Sequence, residues 1–244
     1  MKSRIAFWNI LKKDIRNYYL KPPNVSWGII FPLSWTLMQF IRSKDGINIL
    51  EFLPGLMAMS ILFGTTSMVA VTIAFERKGR SFDRLLLAPI SLDTLVLAKI
   101  TGAILFGVCN AFIPALFAAF FIDLSSINWG MTILSFILMA ITSTLFGLLI
   151  AVSAKEVFEA QTLSNFFRFP MLFLCGLFIP VAKLPIYIRS LSFCLPLTYG
   201  VDILNGAITG TNFMSPILSV SVLLAFAVVL FSICTYNIKR KWIL

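Results

Sequence analysis

The sequence predicts an all-α membrane protein built from six transmembrane helices, and three observations lead there. Of its 244 residues 59% are hydrophobic and 12% charged, with a mean hydropathy of +0.94, whereas a soluble domain carries about a quarter charged residues. Several apolar runs approach or exceed the roughly 18–20 residues that cross a hydrocarbon core of about 30 Å. Lys and Arg are also shared unevenly between the segments that join these runs, 16 on one side and 4 on the other, and such a bias orients a chain in the bilayer.

The elements follow in order. Residues 1–23 contain RIAFWNILKKDIRNYYLKPP, in which Ile5, Trp8, Leu11, Ile15 and Tyr18 recur at steps of three and four while Arg4, Lys12, Lys13 and Arg16 take another face. That pattern predicts a helix lying in the membrane interface, with Trp and Tyr at headgroup level. Pro22-Pro23 ends it. Charges recur too often in this stretch for a signal peptide or a span.

The six predicted spans are Val25–Ile41, Phe52–Phe75, Leu95–Ile122, Trp129–Ala154, Leu163–Ile179 and Pro216–Ile238. An even number places both termini on the Lys/Arg-rich side, the cytoplasm, in the cell (cytoplasmic, inner) membrane. Asn110 and Pro114 interrupt the third span. Lys155 and Glu159 are an i,i+4 pair and, with Glu156 and Arg168, flank the cytoplasmic end of the fifth as anchors, local ion pairs or an inner gate. Small residues recur every four positions: Ala103, Gly107, Ala111, Ala115 and Ala119; Ser143, Gly147 and Ala151; Ser60 and Gly64. Such rows let helix backbones approach within the protein or between subunits. No linker or repeat divides the chain, so residues 1–244 are expected to form one membrane domain.

One stretch breaks the apolar pattern. FERKGRSFDRLLLAPISLDTLVLAKI, residues 75–100, holds eight charged residues. Residues 76–94 form the largest internal cytoplasmic loop, and SFDRLLLAPIS within it reads as a short helix, capped by Ser81, favoured at its N-terminus by Asp83 and closed by Pro89. Phe82, Leu85 and Leu86 share one face; Asp83, Arg84 and Leu87 lie elsewhere. A two-turn helix is unstable alone in water and must dock on the membrane, on the ends of the spans or on another protein.

That loop resembles the characteristic cytoplasmic loop of ABC-2-type transporter permeases, in which Glu-Arg, Gly-Thr, an acidic residue, leucines, Pro-x-Ser and a Lys follow one another. Glu76, Arg77, Asp83, Leu85, Leu86, Pro89, Ser91 and Lys99 match; Arg80-Ser81 stands where Gly-Thr is usual, with Gly79 one position earlier. GLFIPVAKLPIYIRSLSFCLPLTYGVDIL resembles the family's extracellular stretch between its last two spans through Gly176, Pro180, Pro185, Pro196, Leu197 and Thr198, with Asn205 where Arg is common. The resemblance implies an exporter's membrane half of the drug- and antibiotic-exporting branch. Its coupling helix, around Glu76, Arg77, Arg80, Phe82, Asp83, Arg84, Leu85, Leu86 and Pro89, docks on a separate ABC ATPase present in two copies. A second permease chain pairs with this one, as homodimer or heterodimer, and residues 180–215 form re-entrant helices that close the outer end.

The rest of the sequence fits a chain that leaves chemistry to a partner. No G-x-x-x-x-G-K-[ST] loop is present, so ATP and Mg2+ are expected in the ATPase and no cofactor here. Histidine is absent, and Cys109, Cys175, Cys194 and Cys234 lack metal-ligand spacing, which argues against an intramembrane enzyme. The net charge of +10 is accounted for by topology without nucleic acid. A proton-coupled carrier or channel is the alternative, but only scattered polar groups such as Gln39, Thr65, Thr66, Ser67, Asn110 and Asn165 fall in the predicted spans. A hydrophobic or amphipathic cargo, such as a drug, antibiotic or lipid, suits the apolar interior.

Overall fold

The computed structural model describes residues 2–43, 49–154 and 156–240, and every element in them is helical. The centre is α4, Ile49–Lys78, whose residues are buried without a break from Leu53 to Ala74. At about 1.5 Å per residue this helix is about 45 Å long, so it overshoots a hydrocarbon core and carries Glu76, Arg77 and Lys78 beyond it. A helix apolar on every side belongs inside a bundle. Around it stand α6 (Leu92–Ala118), α7 (Trp129–Ser153), α8 (Val157–Leu174) and α10 (Pro196–Thr209), while α11 (Pro216–Ile238) packs outside on α7 and α10.

Local chemistry fixes the helix ends. The side chains of Ser91, Asn128 and Ser215 accept from Thr94 N, Met131 N and Leu218 N and cap α6, α7 and α11. Pro216 opens α11 where its missing N–H costs nothing. Pro22 and Pro23 likewise start α2 (Pro22–Val25), which runs through a π-turn at Ser26–Ile30 into α3 (Phe31–Ser43). The amide of Asn110 donates to Gly28 O at 2.8 Å from within an unbroken α6. Asn110 therefore fastens α6 to the π-turn, and neither it nor Pro114 interrupts the third span.

The rows of small residues pack inside the chain. A Cβ on Gly147 would lie 2.9 Å from Thr66 Cα, so α7 touches the backbone of α4 there; at Gly107 of α6 it would meet the Thr65 side chain instead. Only Ala119, past the end of α6, is exposed.

Among the described residues four helices are long and apolar enough to cross a membrane: α4, α6, α7 and α11. The first expected span falls on α2, the π-turn and α3. The fifth, expected at Leu163–Ile179, falls on α8, which starts at Val157 and stops at Leu174, where Cys175 ends it and Gly176 takes φ +82°. This shift moves Arg168 from the end of the span to its interior. Lys155 lies outside the described residues, as do Lys44 and Lys241, and Glu156 and Glu159 are exposed at the start of α8. Between α8 and α11, α9 (Ile186–Ser192) meets α10 at 95°. A pair bent this sharply is either a broken fifth crossing or a loop that returns to its own side.

Candidate functional site

The charged insert lies where α4 ends and α6 begins. α4 stops at Lys78, Arg80 takes a left-handed turn at φ 53°, and α5 (Ser81–Leu86) follows directly. Arg80, not Ser81, is the N-cap. Ser81 is the first helical residue, and its hydroxyl donates back to Glu76 O at 3.2 Å, which ties α5 to α4. The turn needs a positive φ at Arg80, a conformation glycine adopts without strain, and Gly79 beside it has none.

Phe82 is 2% exposed and packs into a cluster with Met68, Val69 and Ile73 of α4, Leu95 and Val96 of α6, and Leu148 and Val152 of α7. Leu85 and Leu86 are half-buried against the same cluster. The apolar face of α5 is thus occupied by the chain's own helices. What it turns outward is Arg80, Asp83, Arg84, Leu87 and Pro89, with Leu87 86% exposed. Arg77 donates to Ala154 O at 2.8 Å and holds the end of α4 to the end of α7.

Beneath α5 lies a cluster of four charges. Glu76 is fully buried and pairs with Lys13 of α1 (Lys2–Asn17) and, at 2.5 Å, with Lys99 of α6. Lys99 also donates to both oxygens of Asp14, at 2.9 and 2.7 Å, and Lys13 lies 3.6 Å from Asp14. Two cations and two anions cancel, so the buried charge is compensated. Burial is the main cause that pushes the Asp14 carboxyl up from 3.8 to about 6, with Glu76 adding repulsion, while Lys99 and Lys13 oppose both. Burial tends to lower the Lys13 ammonium, but its bonds to Glu76 and the field of Asp14 leave it raised. α1 therefore presents Ile10, Leu11 and Asp14 to the bundle and leaves Ile5, Trp8 and Ile15 exposed, so the predicted apolar stripe splits at Leu11.

At the opposite end a cavity of about 870 Å3 opens between α3, α4, the 176–183 segment and α10. Gly176, Pro180 and Thr198 line it, with Arg42, Glu51, Lys183 and Asn205. Pro185 and Pro196 stand outside it, starting α9 and α10. Thr198 donates to Ser192 O at 2.6 Å and locks the bend between those helices. Asp202 accepts from Phe213 N and Met214 N at 2.6 and 3.1 Å and fixes the loop that leads to α11.

The structure thus brings Glu76 to Lys13, which the sequence placed only on a basic helix face, and close to Asp14, which sequence reasoning passed over. Asp14 is the sole acidic residue in a basic helix, which was the available signal. No His, Cys, Asp or Glu cluster among the described residues could hold a metal ion.

A model of the family described as ABC-2 type transporter matches residues 5–209. The chain is 25% identical over 244 residues to the inner membrane transport permease YadH of Escherichia coli, an alignment covering 97% of this chain and 95% of that permease. It is 25% identical over 225 residues to nodulation protein J of Rhizobium meliloti, covering 87% of this chain and 82% of that protein. With nodulation protein J of Sinorhizobium fredii the identity is 26% over 220 residues, covering 87% and 82%.

Proposed function

Because the chain belongs to the ABC-2 type transporter family, we propose that it is the permease of an exporter driven by a separate ATPase. Two permease chains and two ATPases form the complex, with ATP and Mg2+ bound in the ATPases. Both termini and the 76–94 loop face the cytoplasm, the chain crosses the membrane six times, and α9 and α10 form the re-entrant outer closure. The cargo is hydrophobic or amphipathic.

The observation that carries this reading is the mounting of α5. A six-residue helix has no stability of its own, yet Phe82 and the Ser81–Glu76 bond seat it on α4, α6 and α7. A displacement imposed on its outward residues is passed to three helices at once. Its exposed Leu87, between Arg84 and Pro89, offers an apolar anchor beside charges, the pattern by which a partner is held and aligned.

The experiment is a pull-down of the intact chain from solubilised membranes of its native host, with co-purifying chains identified by mass spectrometry. The expected result is a stoichiometric ATPase with a phosphate-binding Walker loop, lost in Leu87→Asp while the variant still inserts. Retention of the ATPase by Leu87→Asp together with Arg84→Glu sinks the docking role. Absence of any ATPase sinks the exporter reading itself.

A further inference from the structure

A fully buried cation that pairs with no carboxylate among the described residues sits at the centre of the bundle. Arg168 has no exposed surface. It stands eleven residues above the start of α8 at Val157, and Ser67, its partner, eleven below the end of α4 at Lys78. Each is therefore about 16 Å from that end of its helix, near mid-bilayer.

Every acceptor around it is neutral. Nη1 donates to Ser67 Oγ at 2.7 Å, and Nε to Ser164 O at 3.1 Å. Gln161, in the amide orientation that satisfies both its donors, accepts from Nη2 at 3.3 Å and from Trp27 Nε1 at 3.2 Å. The guanidinium carbon lies 4.8 Å from the Phe63 ring centroid. Among the described residues no carboxylate pairs with it. The other deeply buried cation, Lys99, has two carboxylates at hand, so the fold neutralises one buried charge and leaves the other open. A charge at membrane depth costs several kcal/mol unless it is compensated. A neutral amide at this position could make similar bonds without that cost.

The walls are aromatic. Trp27 and Phe63 stack at 6.3 Å, Phe31 lies 4.7 Å from Phe63, and Phe169 meets Trp27, Phe31 and Phe63 edge-on. A cation beside an apolar aromatic wall fits a molecule with an anionic group on an apolar body. Resting on the exporter reading, the geometry points to Arg168 as the seat of the anionic group of an amphipathic cargo, a phosphate or carboxylate on an acyl or aryl body. The anion takes the place of the neutral acceptors when α8 parts from α4.

Binding is tested on the full-length chain in zwitterionic nanodiscs without an ATPase, so a failed exporter reading and a failed anion seat give separate results. Trp27 is made the sole tryptophan, and quenching by brominated dodecyl phosphate is competed with dodecyl phosphate, dodecyltrimethylammonium, dodecyl maltoside and inorganic phosphate. The expected result is a preference for dodecyl phosphate of about tenfold or more over the cationic and neutral probes, a gap that converts to about 1.4 kcal/mol. Arg168→Gln erases that preference and Arg168→Lys keeps most of it. Equal competition by all three amphiphiles in the otherwise native chain overturns the proposal, and needs no Arg168 variant to fold. An unchanged preference in Arg168→Gln overturns it, as does loss in both variants with the fold intact, which marks a structural arginine. Inorganic phosphate competing as well as dodecyl phosphate overturns the amphiphile in favour of a free anion.

Discussion

The ammonium of Lys99 lies 2.7 Å from Oδ2 of Asp14, a carboxylate 85 positions earlier in the chain, and both side chains are almost wholly buried. This contact joins α1 to α6 at the root of the charged insert. Removing one partner strands a buried charge, which costs about 3–5 kcal/mol. Lys99→Met is therefore expected to lower the unfolding free energy in mixed micelles by about that much. Lys99→Gln with Asp14→Asn leaves Lys13 on Glu76, and its cost should fall well below the sum of the two single changes, a coupling that a double-mutant cycle measures.

The same carboxyl sets a pH dependence. Asp14 titrates near 6 in the folded chain against 3.8 for an unburied carboxyl. An acid raised on folding binds its proton more tightly in the native state, so its contribution to stability falls as pH rises from about 4 to about 6 and is level above that. The unfolding midpoint of the native chain minus that of Asp14→Asn should decline across this window. A difference that rises instead would show that the lysines hold Asp14 below its usual range.

Arg80 is the only described residue other than glycine with a positive φ, at 53°. A side chain held there costs roughly 1–2 kcal/mol. Arg80→Gly should leave the fold unchanged and raise stability by up to about 1 kcal/mol. Gly79→Ala should be tolerated, since its Cβ would meet only Phe75 O at 3.5 Å and Glu76 O at 3.9 Å. A loss above 1 kcal/mol in Arg80→Gly would mean that Arg80 makes a contact its exposure hides.

The α4, α6, α7 and α11 crossings were legible because each is an apolar run bounded by caps or charges, and the prediction for α11 coincides with Pro216–Ile238. α8 was displaced because an apolar window slides away from charge by construction. It settled on Leu163–Ile179 and left Arg168 at its edge, whereas the helix begins at Val157, directly after the polar Glu156 at its N-cap. Ser164 and Gln161 lie on α8 with Arg168, but Ser67 and Phe63 come from α4, and no periodicity within α8 reveals those two. The insert was visible by its charge and Phe82 by its face. That Phe82 turns into its own bundle while Leu87 turns out depends on the bend at Arg80, which helical phase alone does not contain.

Gly147 tests the packing of α7 on α4. The Cβ of an alanine there would lie 2.9 Å from Thr66 Cα and 3.0 Å from Thr66 O, both backbone atoms that cannot step aside. Overpacking of this kind costs about 1–3 kcal/mol. Gly147→Ala should lower stability by that amount, while Gly130→Ala, where the Cβ meets only Asn128 Oδ1 at 3.5 Å, should not. Equal stability of the two would mean that the helices separate at this crossing without penalty.

The two sides of α5 should separate in experiment. Phe82 fills a cluster of α4, α6 and α7 side chains, and truncation to alanine should cost about 3–5 kcal/mol. Leu87, 86% exposed, should change stability by less than about 0.5 kcal/mol when truncated. Under the exporter reading both variants impair ATP-driven transport in proteoliposomes, for different reasons. Phe82→Ala loosens the mounting, so ATPase binding persists while each hydrolysis moves less cargo. Leu87→Ala keeps the mounting and weakens the grip, so raising the ATPase concentration should restore transport to Leu87→Ala and not to Phe82→Ala. Restoration of both, or of neither, would show that mounting and grip are not divided between these two residues.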